Sequence, residues 1–248
     1  MRLQMMTWQE VQTSVARDRG ILMPIGSTEQ HGPTGLMGTD ALTAEVIAWR
    51  AGDLASAVVG PTIPVGMAHH HMAFSGSMTL KPSTLIAVIS EYVLSLAHHG
   101  FRHFVFVNGH GGNIPTINAA FYEVYSTLYG HGPVEGPELR CRCISWFELA
   151  GVQRLTKDLF GAREGAHATA SEISVTQAAF PDAIKSADLH PAKAPMSRFF
   201  DARDYRRRHP DGRMGSDPSA ASPAAGERVI ETAATELAHA YRQFVTTA

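Results

Sequence analysis

"ILMPIGSTEQHGPTGLMGTDALTAEVIAWR", residues 21–50, decides the architecture. It opens as a short apolar strand and closes as an amphipathic helix. Between the two lies a loop of Gly, Ser, Thr and Pro that also carries Glu29, His31 and Asp40. Glu29 and His31 are two residues apart, so on an extended chain both point to the same side. Asp40 returns at the start of the helix, which Thr39 or Asp40 is expected to cap. Carboxylate, imidazole and carboxylate at the mouth of one strand form a donor set suited to zinc, manganese or iron.

The pattern repeats along the chain. "SAVVGPTIPVG" (56–66) reads as a second strand interrupted by prolines, and residues 81–100 as a helix with Pro82 near its start and Gly100 at its stop. "FRHFVFV" (101–107) is a third strand, 114–129 a helix, and "LRCRCISWF" (139–147) a fourth strand. Further helices are expected over 165–180 and 223–245. Apolar strands alternating with helices predict a mostly parallel sheet covered on both faces, with ligands at the carboxyl ends of its strands. Residues 190–222, rich in Pro, Ser, Arg and Asp, break the rhythm. They read as a long loop: a flap over the site, a subunit contact, or a flexible surface excursion. No repeat or linker divides the chain, so a single domain over 1–248 is expected.

Composition removes several function classes. The 248 residues are 44% hydrophobic and 18% charged, with a formal net charge of −2. That is ordinary globular composition, without the basic excess expected of a nucleic-acid binder. No apolar run is long enough for a membrane span, and "MRLQMMTWQE" lacks signal-peptide character. A cytoplasmic protein with neither nucleic-acid nor membrane partner is the expectation. Cys141 and Cys143, the only cysteines, read as buried strand residues rather than a disulfide framework. Thirteen histidines stand out, and their positions carry the functional argument.

"NGHGGN" (108–113) places His110 at the carboxyl end of the third strand, among glycines that admit tight turns and close approach. A phosphate cradle is disfavoured, because no Lys follows as in a P-loop and the spacing misses the dinucleotide fingerprint. "EGAHATASEIS" (164–174) gathers Glu164, His167 and Glu172; the first two, at i and i+3, would share a helix face. "HHHMAFSGS" (69–77) offers three histidines, of which one or two can face one pocket; His71 is the candidate for substrate contact. Trp146, at the end of the fourth strand, is either a pocket wall or a core residue.

In this order, "GSTEQHG", "GTD", "HMAFSGSMTL", "NGHGGN" and "EGAHATASEIS" resemble the creatininase family, also called creatinine amidohydrolase-like proteins, over residues 20 to 180 or so. The resemblance implies a three-layer α/β/α sandwich and two divalent metal ions per chain, Zn, Mn or Fe. It implies that Asp40 bridges the ions, that Glu29 and His110 hold one, and that His31 and a further acid hold the other. Creatinine-hydrolysing members carry that acid two residues after the "NGH" histidine. Here the position is Gly112, and Glu172 is the replacement the resemblance points to. A homo-oligomer, specifically a hexamer, is implied as well.

The departures bear on substrate. The aromatic residue after the "NGH" histidine, which helps to bind creatinine, is Gly111, and Arg163 stands where a stacking Trp is expected just before Glu164. "HAT" (167–169) and "FSGS" (74–77) replace the family's "HAG" and "FPGT". The expected reaction is hydrolysis of a non-peptide C–N bond in a cyclic amide or formamide, by attack of a hydroxide bridging the two ions. His167 is the expected proton shuttle, with Glu164 orienting it or carrying the proton itself. The alternatives are a cyclic-ketone or peptide substrate, or a relative that binds metal or a small molecule without turnover.

Overall fold

The computed structural model describes residues 1–129 and 138–246. Its centre is a four-stranded parallel sheet in the order β2-β1-β3-β4. The strands are β1 (Gly20–Ile25), β2 (Val58–Val59), β3 (His103–Asn108) and β4 (Arg140–Ser145). β1 pairs with β3 over its whole length, Gly20 opposite His103 and Ile25 opposite Asn108. Every residue of both strands is buried, as continuous apolar runs covered on two faces should be.

Alternation along these strands sorts the core into two layers. Ile21, Met23 and Ile25 of β1 and Phe104 and Phe106 of β3 face one way. There they meet α1 (Trp8–Arg17), α3 (Pro82–His98) and α4 (Ile114–Tyr129), whose Val15, Leu85, Ile89, Ile117 and Val124 fill the layer. Leu22, Val105 and Val107 face the other way. They pack on α2 (Thr39–Ala55), α5 (Ala150–Phe160) and α8 (Pro223–Thr246) through Ile47, Val152, Val229 and Leu237. Val175 of α6 (Ala170–Ala179) joins that layer. The result is the three-layer α/β/α arrangement expected from the rhythm of strands and helices.

Several boundaries differ from the sequence reading. The second strand shrinks to Val58–Val59, because Pro61 and Pro64 interrupt the ladder; the backbone rejoins β1 only at an Ile25–Ile63 bridge. Pro24 is tolerated in central β1 because its backbone faces that broken side, where its carbonyl accepts from Ile63 N. Helices α1 and α5 were not anticipated. The helix expected over 165–180 begins at Ala170, since Gly165 and Ala168 have φ of +82° and +53°. Glu164 and His167 therefore share no helix face. The N-cap of α2 is Gly38, so Thr39 and Asp40 are already helical. Cys141 and Cys143 are free and half-buried on edge strand β4; burial raises both thiols to about 12.

Residues 190–222 are ordered rather than a loose excursion. They contain α7 (Ala202–Arg208) and bury Asp204, Tyr205, His209, Arg213 and Ser216. The Arg213 guanidinium donates to the carbonyls of Pro191 and Ala192 and to the Asp211 carboxylate. Met214 bridges His167 through backbone hydrogen bonds in both directions. The segment thus forms a strap across the carboxyl end of the sheet. No described helix is long and apolar enough to cross a membrane.

Candidate metal centre

Two strand ends and one helix start deliver the ligands. β1 runs into Glu29 and His31, β3 into His110, and the first turn of α2 carries Asp40 between them. Gly26 and Gly109 make this convergence possible. A Cβ on Gly26 would strike the Asp40–Ala41 backbone, and one on Gly109 the Asp40 carbonyl. Asp40 also gains from lying at a helix N-terminus, where the macrodipole favours an anion.

The "NGHGGN" amides brace the turn. Asn108 donates to the His110 carbonyl at 2.8 Å and accepts from His110 N at 3.1 Å. Asn113 donates to the Gly26 carbonyl and accepts from Met67 N, both at 2.9 Å. These contacts tie together the loop after β1, the turn after β3 and the stretch leading to the three histidines.

Second hydrogen bonds fix which nitrogen of each imidazole looks inward. His110 uses Nε2 to donate to the Met67 carbonyl at 3.0 Å, which turns Nδ1 toward Glu29 and Asp40. His31 uses Nδ1 on the Glu29 carbonyl at 3.1 Å, leaving Nε2 inward. His167 uses Nε2 on the Gln30 carbonyl at 2.8 Å, leaving Nδ1 inward. An outer N–H donated to a carbonyl is the habitual support of a metal-ligating histidine.

Asp40 straddles the cluster. Its Oδ1 lies 3.0 Å from His31 Nε2 and its Oδ2 3.0 Å from His110 Nδ1. Glu29 Oε1 lies 3.1 Å from His71 Nε2, 3.3 Å from His110 Nδ1 and 3.8 Å from His167 Nδ1. Glu172 Oε1 lies 3.8 Å from His31 Nε2 while accepting the Thr169 N–H in the capping box of α6. Gly112 has no room for a side chain: a Cβ there would press on the His110 ring and the Met67 carbonyl.

Charge argues for cations at this place. Both Glu29 oxygens and Asp40 Oδ2 are buried without a hydrogen bond, although imidazoles stand within ion-pair distance. Burial would lower the His31 and His110 pKa values, but the carboxylates outweigh it: chiefly Asp40 raises His31 to about 10, and Glu29 and Asp40 raise His110 to about 9. Burial pushes the Asp40 carboxyl upward, and the two imidazoles more than reverse it, holding it well below the usual carboxylate range. Two protons thus sit among buried carboxylates. Divalent ions would replace those protons and satisfy the orphaned oxygens. Three ligand sets have donor atoms within 4.8 Å of one another: Glu29, His70 and His110; Glu29, His31 and His167; His31, Asp40 and Glu172. The residues present fit divalent metal.

The remaining histidines differ. Burial and neighbouring imidazoles lower His71 to about 3 and His70 to about 4, and drive His167 well below its ordinary value. Burial, with Asp40, raises Glu172 to about 7 against the pull of His31.

Not every expected residue meets the site as anticipated. Glu164 does not orient His167; its two oxygens accept from the Ser171 N–H and hydroxyl, and burial raises its pKa. Trp146 is a core residue rather than a pocket wall, buried to 1% and donating from Nε1 to Thr43 Oγ1. The next residue, Phe147, lines the cavity instead. Gly111 lines that cavity too, and no atom lies within 4 Å of where its Cβ would be. His71 faces Glu29 as a buried neighbour, His70 stacks on His110 and Phe199, and His69 is exposed.

Gln30 was missed by the sequence reading. Its Nε2 lies 2.9 Å from His71 Nδ1 and donates to the Gly212 carbonyl of the strap at 3.0 Å. A single amide between two ligand-type residues in "EQH" gave no separate signal. Tyr205, which packs edge-on against His71 at 4.7 Å, lay in the segment without periodicity.

Comparison with known proteins identifies the family. A family model described as creatininase, creatinine amidohydrolase, matches residues 4–241. Creatinine amidohydrolase of Pseudomonas putida is 27% identical over 256 residues, covering 96% of this chain and 95% of that protein. Mycofactocin precursor peptide peptidase of Mycolicibacterium smegmatis is 37% identical over 106 residues, covering 40% of this chain and 42% of that protein. A solved creatininase described as its Mn form is 25% identical, covers 99% of this chain and 98% of that one, and superposes with a TM-score of 0.84. With a whole-length family match and a matching fold, the chain belongs to the creatininase family of hydrolases.

Proposed function

We propose that this protein is a dinuclear metal-dependent amidohydrolase that cleaves a non-peptide C–N bond in a cyclic amide or a formamide. The observation that carries the reading is the inward set of His31, Asp40 and His110, with one Asp40 oxygen on each side and Glu29 unpaired beside them. Asp40 is assigned as the bridge. Glu29 and His110 would help to hold one ion, and His31 and Glu172 the other. Zinc, manganese and iron all suit such mixed carboxylate and imidazole donors. When bound, such ions supply a water acidic enough to attack a carbonyl near neutral pH.

The chain's own residues supply the rest. His167 is neutral at rest, with Nε2 engaged by Gln30 and Nδ1 facing inward. Its Nδ1 accepts the proton that attack releases and delivers it to the leaving nitrogen. Gln30 ties His71 to the strap through the Gly212 carbonyl. That cavity, of about 460 Å³, is lined by Asp40, His110, Gly111, Phe147, His167 and Glu172, a size suited to a small molecule.

Creatinine itself is expected to be a poor substrate. Gly111 offers no wall, and the Arg163 guanidinium is held on Asp217 and Ser219 instead of stacking in the cavity. A peptide substrate is the second reading, favoured by the local similarity to a precursor-peptide peptidase. The chain is taken to act as one domain, in a homo-oligomer as the family resemblance implies, and in the cytoplasm.

The test is hydrolysis by protein loaded in turn with Zn, Mn and Fe, against lactams, formamides, creatinine and short peptides. Turnover of a lactam or formamide that chelation abolishes is the expected result, with creatinine near background. Absence of C–N cleavage with every metal would overturn the reading, and efficient creatinine turnover would overturn the account of Gly111 and Arg163.

A further inference from the structure

The cavity beside the ligands has a chemical asymmetry that bears on substrate class. Its floor is acidic, with Asp40 and Glu172, and its side carries Glu164. Each acid already has company: Asp40 and Glu172 lie against imidazoles, and Glu164 is engaged by Ser171. Lys157 is the one Lys or Arg among the lining residues. Arg154 pairs with Glu236, and Arg163 is tied to Asp217 and Ser219. No carboxylate among the described residues lies within ion-pair distance of Lys157.

Lys157 does not stand alone. Gln153, Thr156 and Lys157 fall at i, i+3 and i+4 of α5 and present one polar edge to the cavity. Phe147 adds an apolar side chain to the same lining. The cavity also keeps free space at two glycines of this chain. Gly111 and Gly161 both line it, and at each the space that a side chain would fill is open to 4 Å.

We propose that this cavity takes an amide carrying a negative charge, most simply a carboxylate, with the amide carbonyl at the metal ligands and the anionic end paired with Lys157 on α5. The proposal rests on the reading of the site as an amide hydrolase. Lys157 is a specificity-determining residue in this arrangement and takes no part in bond cleavage. An uncharged planar ring gains nothing from it, which agrees with the expected disfavour of creatinine.

The experiment uses an inert pair of ligands, so that binding is read apart from chemistry. 5-Oxohexanoate carries a carbonyl and a carboxylate, and 6-hydroxyhexan-2-one is its neutral counterpart. Dissociation constants are measured by NMR titration on the zinc-loaded full chain, for wild type, Lys157→Met and Lys157→Arg. Lys157 is exposed, and melting curves check that the variants fold alike.

Wild type should prefer the carboxylate about fivefold, the scale of a solvent-exposed ion pair. The preference should vanish in Lys157→Met, persist in Lys157→Arg and weaken at high salt. No preference in wild type, or an equal preference in Lys157→Met because the carboxylate binds the metal instead, would overturn the proposal. Preference lost in Lys157→Met while no amide is hydrolysed by any metal form would leave this inference standing and refute the proposed reaction. A parallel measurement with 4-formamidobutanoate and its neutral N-methylamide should show the Lys157→Met effect in KM, with kcat unchanged.

Discussion

Asp40→Asn tests the centre most directly, because it removes one charge while keeping the shape of the side chain. Asp40 is buried, and its two oxygens each lie 3.0 Å from a different imidazole. In the metal-free protein, asparagine leaves protonated His31 with Glu172 at 3.8 Å and protonated His110 with Glu29 at 3.3 Å. Breaking a buried ion pair from one side costs on the order of 3–5 kcal/mol. Release of one imidazole proton limits the loss, since His31 without Asp40 loses the chief cause of its raised pKa. A destabilisation of about 3 kcal/mol is therefore expected, or roughly 6–12 °C in Tm for a chain of this size. In the metal-loaded protein the consequence is larger, because a bridging carboxylate serves two ions. Both ions should be lost from Asp40→Asn after dialysis, and hydrolysis should fall to background. Elemental analysis and melting curves with and without added metal measure the two effects. Retention of two ions per chain, or clean loss of one only, would refute the assignment of Asp40 as the bridge.

Three further outcomes follow from the same geometry. Glu172→Gln should lower occupancy of one ion more than the other, while retaining most of the α6 cap, because Gln can also serve in a capping box; equal occupancy of both ions by elemental analysis would remove Glu172 from the ligand set. In the metal-free protein, the raised Glu172 pKa gives stability that is full below 4.5 and lost as pH rises through about 7. The raised His31 pKa gives stability that is full below 6.5 and lost as pH rises through about 10. The apo protein should therefore weaken from pH 5 to 10, relative to a variant lacking both groups, while the gain in Tm from zinc grows over the same range as protons cease to compete; a zinc-induced gain independent of pH would contradict this. Gln30→Leu should leave metal content intact but lower kcat about 10- to 100-fold, the scale for groups that orient active-site imidazoles, with wild-type kcat as the contrary result.

The sequence by itself determined the layers and half of the centre. Apolar runs in "ILMPI" and "HFVFV" have no polar face, so they demand cover on both sides, and helices between them leave parallel pairing as the outcome. Glu29, His31 and Asp40 were legible because they crowd one loop, and His110 because its glycines place it at a strand end. Local signals failed where contact was long-range. Trp146 reads equally as wall or core until α2 supplies Thr43 as its hydrogen-bond partner, 103 residues away. Glu164 and His167 have helical spacing, but positive φ at Gly165 and Ala168 bends them apart. Gln30 acquires its role only when His71, His167 and Gly212 arrive from 41, 137 and 182 residues away. Residues 190–222 have no periodicity because a strap is held by individual anchors such as Arg213 and Tyr205, whose partners tertiary structure alone assembles. A period can be read from neighbours along the chain, whereas a hydrogen bond between distant residues is decided only when folding brings them within 3 Å or so of each other.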